Sequence, residues 1–447
     1  MSAGLFSVMV AVLVGSFAGA AEMPGNARNP QAVEEVLSGK RTVANAAWWG
    51  FDREDATGAL QAAINSPAKK VIVPNMARDW IVRPITLVGD QELVLEKGVI
   101  ITAKRGEYRG RGDCVFTARD VANLTIRGYG ATVRMQKEDY IVGKVLVDFG
   151  WHRWFGQYEK AEWRTPLSLL GCTNVKVYGL TLRDSGGDGI YLGNTRKQQY
   201  CKDVVIKDVV CDNNYRQGIS VISVDGLVVE HCVFANTWGT PPSSGVDIEP
   251  DVPEHRVRNV VFRNCLFKDN YGDGIEVFLS NLTTDSGDVS IRFEHCRVTS
   301  KWGPGIRITH VRDTGPGGLI EFRDCVVENT EGYGIKVKDK SADRARVRFV
   351  NSTVRNAANN RNYGDVWAPI VLHLPDSKKT AKFGGVDFVD CSVDDDRDRP
   401  AVVFDGESDL GIFDITGTIA VRNPFGVKAA LGDKQQGVTL VVKTSER

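Results

Sequence analysis

Residues 243–251 read SSGVDIEPD and set three carboxylates, Asp247, Glu249 and Asp251, on alternate positions with Val246 and Ile248 between them. Clustered carboxyls repel, so at least one keeps its proton to a higher pH than usual. A pair split in this way can act as general acid and general base. Acid alternating with aliphatic is the pattern of a strand with one face in a core. It turns Asp247 and Glu249 to the same outward, solvent-facing side, about 7 Å apart at 3.3–3.4 Å per residue. Pro250 interrupts the ladder, which leaves Asp251 beyond the strand with a loop-positioning role.

The elements that must position these residues repeat along the chain. DGIYLG (188–193), QGISVIS (217–223), SGVDIEPD (244–251), DGIEVFL (273–279), PGIRITH (304–310), YGIKVKD (333–339) and APIVLHL (368–374) recur about every thirty residues. Each of the later ones is preceded by another short strand, as in VVFRNCLF, IRFEHCRV, LIEFRDCVV and VRFVNSTV. Short β-branched strands with Gly and Asn at the corners, and no i, i+3, i+4 periodicity between them, are the mark of a β-solenoid. Alternation sends Ile190/Leu192, Ile219/Val221, Val246/Ile248, Ile275/Val277, Ile306/Ile308 and Ile335/Val337 inward, coil upon coil.

Cys232, Cys265, Cys296 and Cys325 follow the same period at intervals of 33, 31 and 29, and Cys391 lies 66 further on with Ser352 in a similar context between them. The cysteines at coil spacing predict a ladder of small, reduced interior side chains rather than disulfides among them.

Stacked coils, about 4.8 Å apart, turn the outward positions into a column: Tyr191, Ser220, Asp247, Glu276, Arg307, Lys336. Glu249 stands beside it, with Thr309 and Lys338 in the neighbouring column. An acidic cluster therefore meets a cationic one, and Asp247, Glu249 and Glu276 are the candidate catalytic carboxyls. Arg307 is the candidate clamp for an anionic substrate group, with Lys336 next to it. Tyr215, Tyr271 and Trp302 each stand three residues before a strand glycine, Trp238 precedes the GTPPSS turn, and Arg216 and Asp273 occupy corners. Aromatic faces flanked by polar groups suit sugar rings, so Arg216, Asp273, Tyr271, Trp302 and Trp238 are candidate substrate contacts. His310 is an acid–base candidate at the end of the Arg307 strand. Asp184 and Asp188, in RDSGGDGI, would extend the acidic patch. The aromatic segment 151–164 interrupts the coils as a binding wall or a packing flap.

Lys+Arg and Asp+Glu are both 56 in 447 residues, which gives no basic field for nucleic acid. Residues 1–21 read as a secretory signal, apolar from Leu5 to Phe17 and ending in Ala18-Gly19-Ala20. No later apolar run approaches the length of a membrane span, so the expectation is a secreted or periplasmic protein without a membrane partner.

The coil pattern resembles the right-handed parallel β-helix carbohydrate-active proteins of the pectate-lyase-like superfamily, the fold of polygalacturonases and polysaccharide lyases. The resemblance covers residues 45–445 as a single all-β domain, after a signal peptide (1–21) and an N-terminal extension (22–44). EDATGALQAAI (54–64), followed by KKVIVP, is similar to the short helix that caps such a solenoid, with Leu60 and Ile64 on one face. The resemblance implies a polysaccharide or oligosaccharide substrate. It transfers no catalytic residue from polygalacturonases, whose N-T-D, D-D, G-H-G and R-I-K series is absent: GGDGI lacks the Asn-Thr, RQG stands where a His is wanted, and GIRIT offers Arg307 without the Lys.

The residues themselves fit a cofactor-free glycoside hydrolase, retaining or inverting, since neighbouring pairs in the patch span both carboxyl separations. A calcium-dependent polysaccharide lyase or uronate epimerase is the alternative, with calcium on the stacked carboxylates. A non-catalytic carbohydrate-binding solenoid is the third reading.

Overall fold

The computed structural model describes residues 27–140, 158, 161–364, 366–375, 381–406 and 410–445. The expected signal segment and most of the 151–164 insertion lie outside them. The chain winds into coils of three short strands. One coil runs through Ile190–Gly193, Cys201–Lys207 and Val210–Asp212, and the next through Ile219–Val221, Val224–Glu230 and Val233–Ala235. Every first strand pairs in parallel with the first strand of the coils before and after it, forming a sheet of twelve strands. The second and third strands stack likewise in a larger sheet, so the described structure is nearly all-β, with its two eight-residue helices at the N-terminal side.

Strand alternation builds the interior as the sequence predicts. Ile190, Ile219, Val246, Ile275, Ile306 and Ile335 are partners in unbroken register, and all are buried. In the larger sheet Phe262, Phe293, Phe322, Phe349 and Phe388 stack ring on ring at 4.9–5.3 Å. Coil spacing therefore also sets an aromatic spacing close to van der Waals contact.

The bend between second and third strands explains the cysteine series. His231, Asn264, His295, Asp324, Asn351 and Asp390 take left-handed φ values of 49–53°, a conformation for which Asn, Asp and His are enriched. The next residue is Cys232, Cys265, Cys296, Cys325, Ser352 or Cys391, each aimed inward. Cys265 Sγ donates to Val229 O, Cys296 to Phe262 O and Cys325 to Phe293 O, each at 3.5 Å, and Ser352 Oγ replaces the thiol with a bond to Phe322 O at 3.3 Å. All nine cysteines are free and buried.

The helix Thr57–Ile64 covers the first coils, with Leu60 and Ile64 buried. A second helix, Pro30–Leu37, lies within the segment 22–44 that the repeat pattern left as an extension. Asn29 caps it by accepting from the Ala32 amide at 3.0 Å, and Val36 is buried against the cap. This helix was illegible from coil periodicity because it is no part of a coil.

Candidate active-site cleft

The glycine ahead of each first strand is set by close approach. A Cβ on Gly218, Gly245 or Gly274 would sit 2.4–2.7 Å from the carbonyl oxygen of the glycine one coil on. That constraint fixes the corner column before it, Asp188, Gln217, Ser244 and Asp273, and the outward column after it. The outward register is Tyr191, Ser220, Asp247, Glu276, Arg307, Lys336, so Asp247 and Glu276 are direct neighbours.

These side chains point away from the solenoid core, yet two of the three carboxyls are not solvent-facing, which corrects the sequence expectation. Asp247 is 1% and Glu276 6% exposed. The corner loops rise above the sheet and enclose a cleft of about 720 Å³, on which Glu249, Asp273, Glu276, Arg216 and Arg307 open. Asp247 lies under its floor, and Gln217 Nε2 donates to its Oδ2 at 2.9 Å. Burial, with Glu276 and Glu249 adding repulsion, pushes Asp247 well above the usual carboxylate range. Among the described residues Asp247 Oδ1 is buried without a hydrogen-bond partner.

Glu276 accepts from Ser244 Oγ at 3.5 Å and meets Arg307 Nη2 at 3.0 Å. Burial raises it, against the pull of Arg307. Asp273 contacts Arg307 Nε at 2.5 Å, and burial pushes it up to about 7 despite that arginine. Asp188 is fully buried, 3.9 Å from Arg216 and likewise raised to about 7 by burial. Arg216 also reaches Glu162 at 3.4 Å and Glu249 at 3.5 Å. Both arginines are thus engaged by the protein's own carboxylates. Arg307, the expected clamp for an anionic substrate group, lines the cleft with Asp273 and Glu276 already in contact with it.

Tyr271 and Trp302 form one wall, their rings stacked at 6.3 Å and 7°. Trp302 is 49% exposed, an open face beside the acids. Tyr363 closes the wall edge-on to Trp302 at 6.1 Å. Tyr215 is buried and covers the coil edge. Trp238 does not line this cleft; its Nε1 donates to Asn213 and its ring carries Lys137 Nζ at 4.3 Å. His310 also sits apart, bonded to Thr309 Oγ1 at 2.7 Å and packed on Phe278. Burial lowers it, with Asp339 opposing. Asp184 does not join the patch: it occupies a left-handed bend (φ 56°) and accepts from Asn213 at 2.7 Å. Asp251 is exposed past the strand, its amide donating to His255 Nδ1.

Sequence reasoning missed Gln217 and Tyr363. Gln217 shares the corner position of Asp188 and Asp273, so aligning that column would have found it. Tyr363 lies in NAANNRNYGDVW, where the interval lengthens and alternation gives no signal. Among the described residues, no group of three or more His, Cys, Asp or Glu side chains has the geometry of a metal site.

The right-handed beta helix region family model matches residues 163–314. The uncharacterized protein YclG of Bacillus subtilis (strain 168) is 24% identical over 257 residues, 53% of this chain and 43% of that protein. The match thus spans less than half of the relative's length. Among solved structures, the A-module of Azotobacter vinelandii mannuronan C-5 epimerase AlgE6 is similar, with a TM-score of 0.56 at 14% identity over 90% of this chain and 100% of that one. An exopolygalacturonase from Thermotoga maritima gives 0.53 at 12% identity over 87% and 96%. A tailspike protein of E. coli bacteriophage HK620 gives 0.57 at 14% over 83% and 64%. With the coil register and the interior ladders, these likenesses establish that the chain has the right-handed parallel β-helix fold.

Proposed function

We propose that the protein is an exported polysaccharide hydrolase that cleaves glycosidic bonds in the Tyr271–Trp302 cleft. The observation that carries the reading is the coincidence, in one cleft, of an exposed aromatic wall with buried carboxyls raised toward neutrality. Glycoside hydrolysis needs one carboxyl that still holds its proton and a second that attacks or activates water. Glu276 opens on the cleft and is raised by burial, so it serves as the acid that protonates the leaving oxygen. Glu249, at the cleft wall with Arg216 at 3.5 Å, supplies the second carboxyl. Asp247 lies beneath them, raised by burial and by the repulsion of Glu276 and Glu249. Two of the folds that match, the epimerase and the exopolygalacturonase, belong by name to proteins that act on polysaccharides, which is consistent with this substrate class.

A calcium-dependent lyase or epimerase would need oxygen ligands free to converge on the ion. Here Arg307 holds Asp273 and Glu276, and Arg216 holds Glu249; that donor set fits two guanidinium groups better than a divalent cation. The test is a polysaccharide screen with product analysis. New reducing ends without unsaturated sugars, unchanged by chelator, support hydrolysis. Chelator-sensitive unsaturated products establish the lyase, and retained binding without any turnover leaves a carbohydrate-binding solenoid.

A further inference from the structure

The stacked wall of Tyr271 and Trp302 comes from consecutive coils, so a glycan lying on it runs along the solenoid axis. Followed toward the C-terminal coils, the outward column passes from Glu276 to Arg307 and then to Lys336, with Lys338 in the parallel column. Lys336 stands two coils, about 10 Å, from Glu276 at ~4.8 Å per coil, a separation that a short glycan spans.

The cations on this path differ in what holds them. Arg216 and Arg307 each bind two or more carboxylates of the protein. Among the described residues Lys336 and Lys338 have no ion-pair partner; Lys336 Nζ lies over the Tyr333 ring at 5.0 Å. Burial weighs most against the charge on Lys336, Lys338 and Arg307 add repulsion, and Asp405 and Asp273 oppose it. Asp405 is itself engaged, 2.6 Å from His373 Nδ1. His373 is the register partner of Lys338, and with Nδ1 on Asp405 its Nε2 is left as the free nitrogen of the ring. Like charges on one strand face cost stability unless something answers them, and among the described residues neither lysine has an ion-pair partner.

We propose that Lys336 and Lys338, with His373 oriented by Asp405, form an anion-reading subsite two coils away from the carboxyl cluster, and that the glycan carries a carboxylate or sulfate on the ring placed there. The inference rests on the glycan cleft described above and deepens it: recognition of the acidic group falls to the two lysines, because Arg307 is already in contact with Asp273 and Glu276. Lysine ammonium groups give point-charge attraction without the planar fork of arginine, so carboxylate and sulfate are both accommodated.

The test uses the full-length protein in calorimetric titrations with three probes: a galacturonate oligosaccharide, a sulfated galactan oligosaccharide and a neutral cello-oligosaccharide. One or both acidic probes bind with salt-dependent affinity. K336Q/K338Q weakens that binding by about tenfold or more, the loss expected for charge-assisted hydrogen bonds, and K336R/K338R retains it. Whichever of carboxylate and sulfate loses affinity in the double variant is the group read. Equal affinity of wild type and K336Q/K338Q for the acidic probes, a loss that K336R/K338R shares, or binding of the neutral probe alone would overturn the proposal. Cleavage of the same probes is followed separately. Lysine-dependent binding without cleavage keeps the subsite and removes the hydrolase, whereas cleavage unaffected by the double variant does the reverse.

Discussion

Two faces of this solenoid carry stacked charges at the same coil spacing, and they behave in opposite ways. On the larger sheet one outward column reads Glu230, Arg263, Glu294, Arg323 and another reads Arg292, Glu321, Arg348, Asp387, in strict alternation of sign. Arg263 bridges Glu230 and Glu294, each at 2.8 Å. Its hydrogen bond holds Glu230 below the usual carboxylate range, and Asp387, where burial is outweighed by Arg346, Thr416 and Arg348, falls to about 2. On the cleft sheet Asp247 meets Glu276 and Arg307 meets Lys336, like beside like. There the carboxyls are buried and raised. One fold therefore carries an alternating charge ladder whose carboxyls are held low, and the cleft departs from it in sign order and in carboxyls that are raised.

The largest difference between the faces is expected on deleting an arginine from each. Arg307→Ala strands buried Asp273 and Glu276 and should cost about 3–5 kcal/mol, the range for breaking a buried ion pair. Denaturant unfolding at neutral pH measures it, and the cost should shrink at lower pH as both acids take protons. A cost below about 1 kcal/mol would equate the cleft with the ladder.

The pH dependence separates the faces next, with opposite signs. A carboxyl raised in the folded state stabilises the fold below its ordinary value, and that contribution is lost as pH climbs through the raised value. Asp188 and Asp273, raised to about 7, should therefore erode stability between about pH 4 and 7, by up to about 4 kcal/mol for a fully buried group such as Asp188. Asp387, lowered to about 2, contributes stability that is present above its ordinary value and is lost as pH falls from about 4 to about 2. Thermal melts across pH should show Asp188→Asn flattening the upper window and Asp387→Asn the lower one.

The smallest effect belongs to the ladder alone. Arg263 is substantially exposed, so Arg263→Ala should cost no more than about 1 kcal/mol and lose even that in high salt, as solvated pairs do. A larger cost would mean that the ladder, too, works as a unit.

The strand alternation and the thirty-residue interval made the coil register legible, down to Ser352 taking the place of a cysteine. They also gave the correct neighbours for Asp247 and Glu276. Depth was not legible. Period-2 alternation tells which side of a sheet a side chain takes, but not how high the neighbouring loops rise over it, and so Asp247 was expected in solvent. Pairing was half legible: Arg307 was placed by register, while its capture by Asp273 depends on a corner residue reaching across a coil. Trp238 and Asp184 were placed in the patch by sequence proximity, and the bends that carry them turn them elsewhere. Tyr363 came from a stretch without period.

The central claim is that the cleft carboxyls do acid–base chemistry that the ladder carboxyls, stacked on the same fold, do not. It is tested most directly by turnover of Glu276→Gln and Glu294→Gln side by side, on whichever polysaccharide the screen identifies. The account predicts that Glu276→Gln lowers kcat by at least about 100-fold, the low end for general acid–base catalysis, with Glu294→Gln within about twofold of wild type, since its carboxyl answers only Arg263 and Arg292 on the far face. Near-wild-type turnover in Glu276→Gln, or an equal loss in both variants, would contradict it.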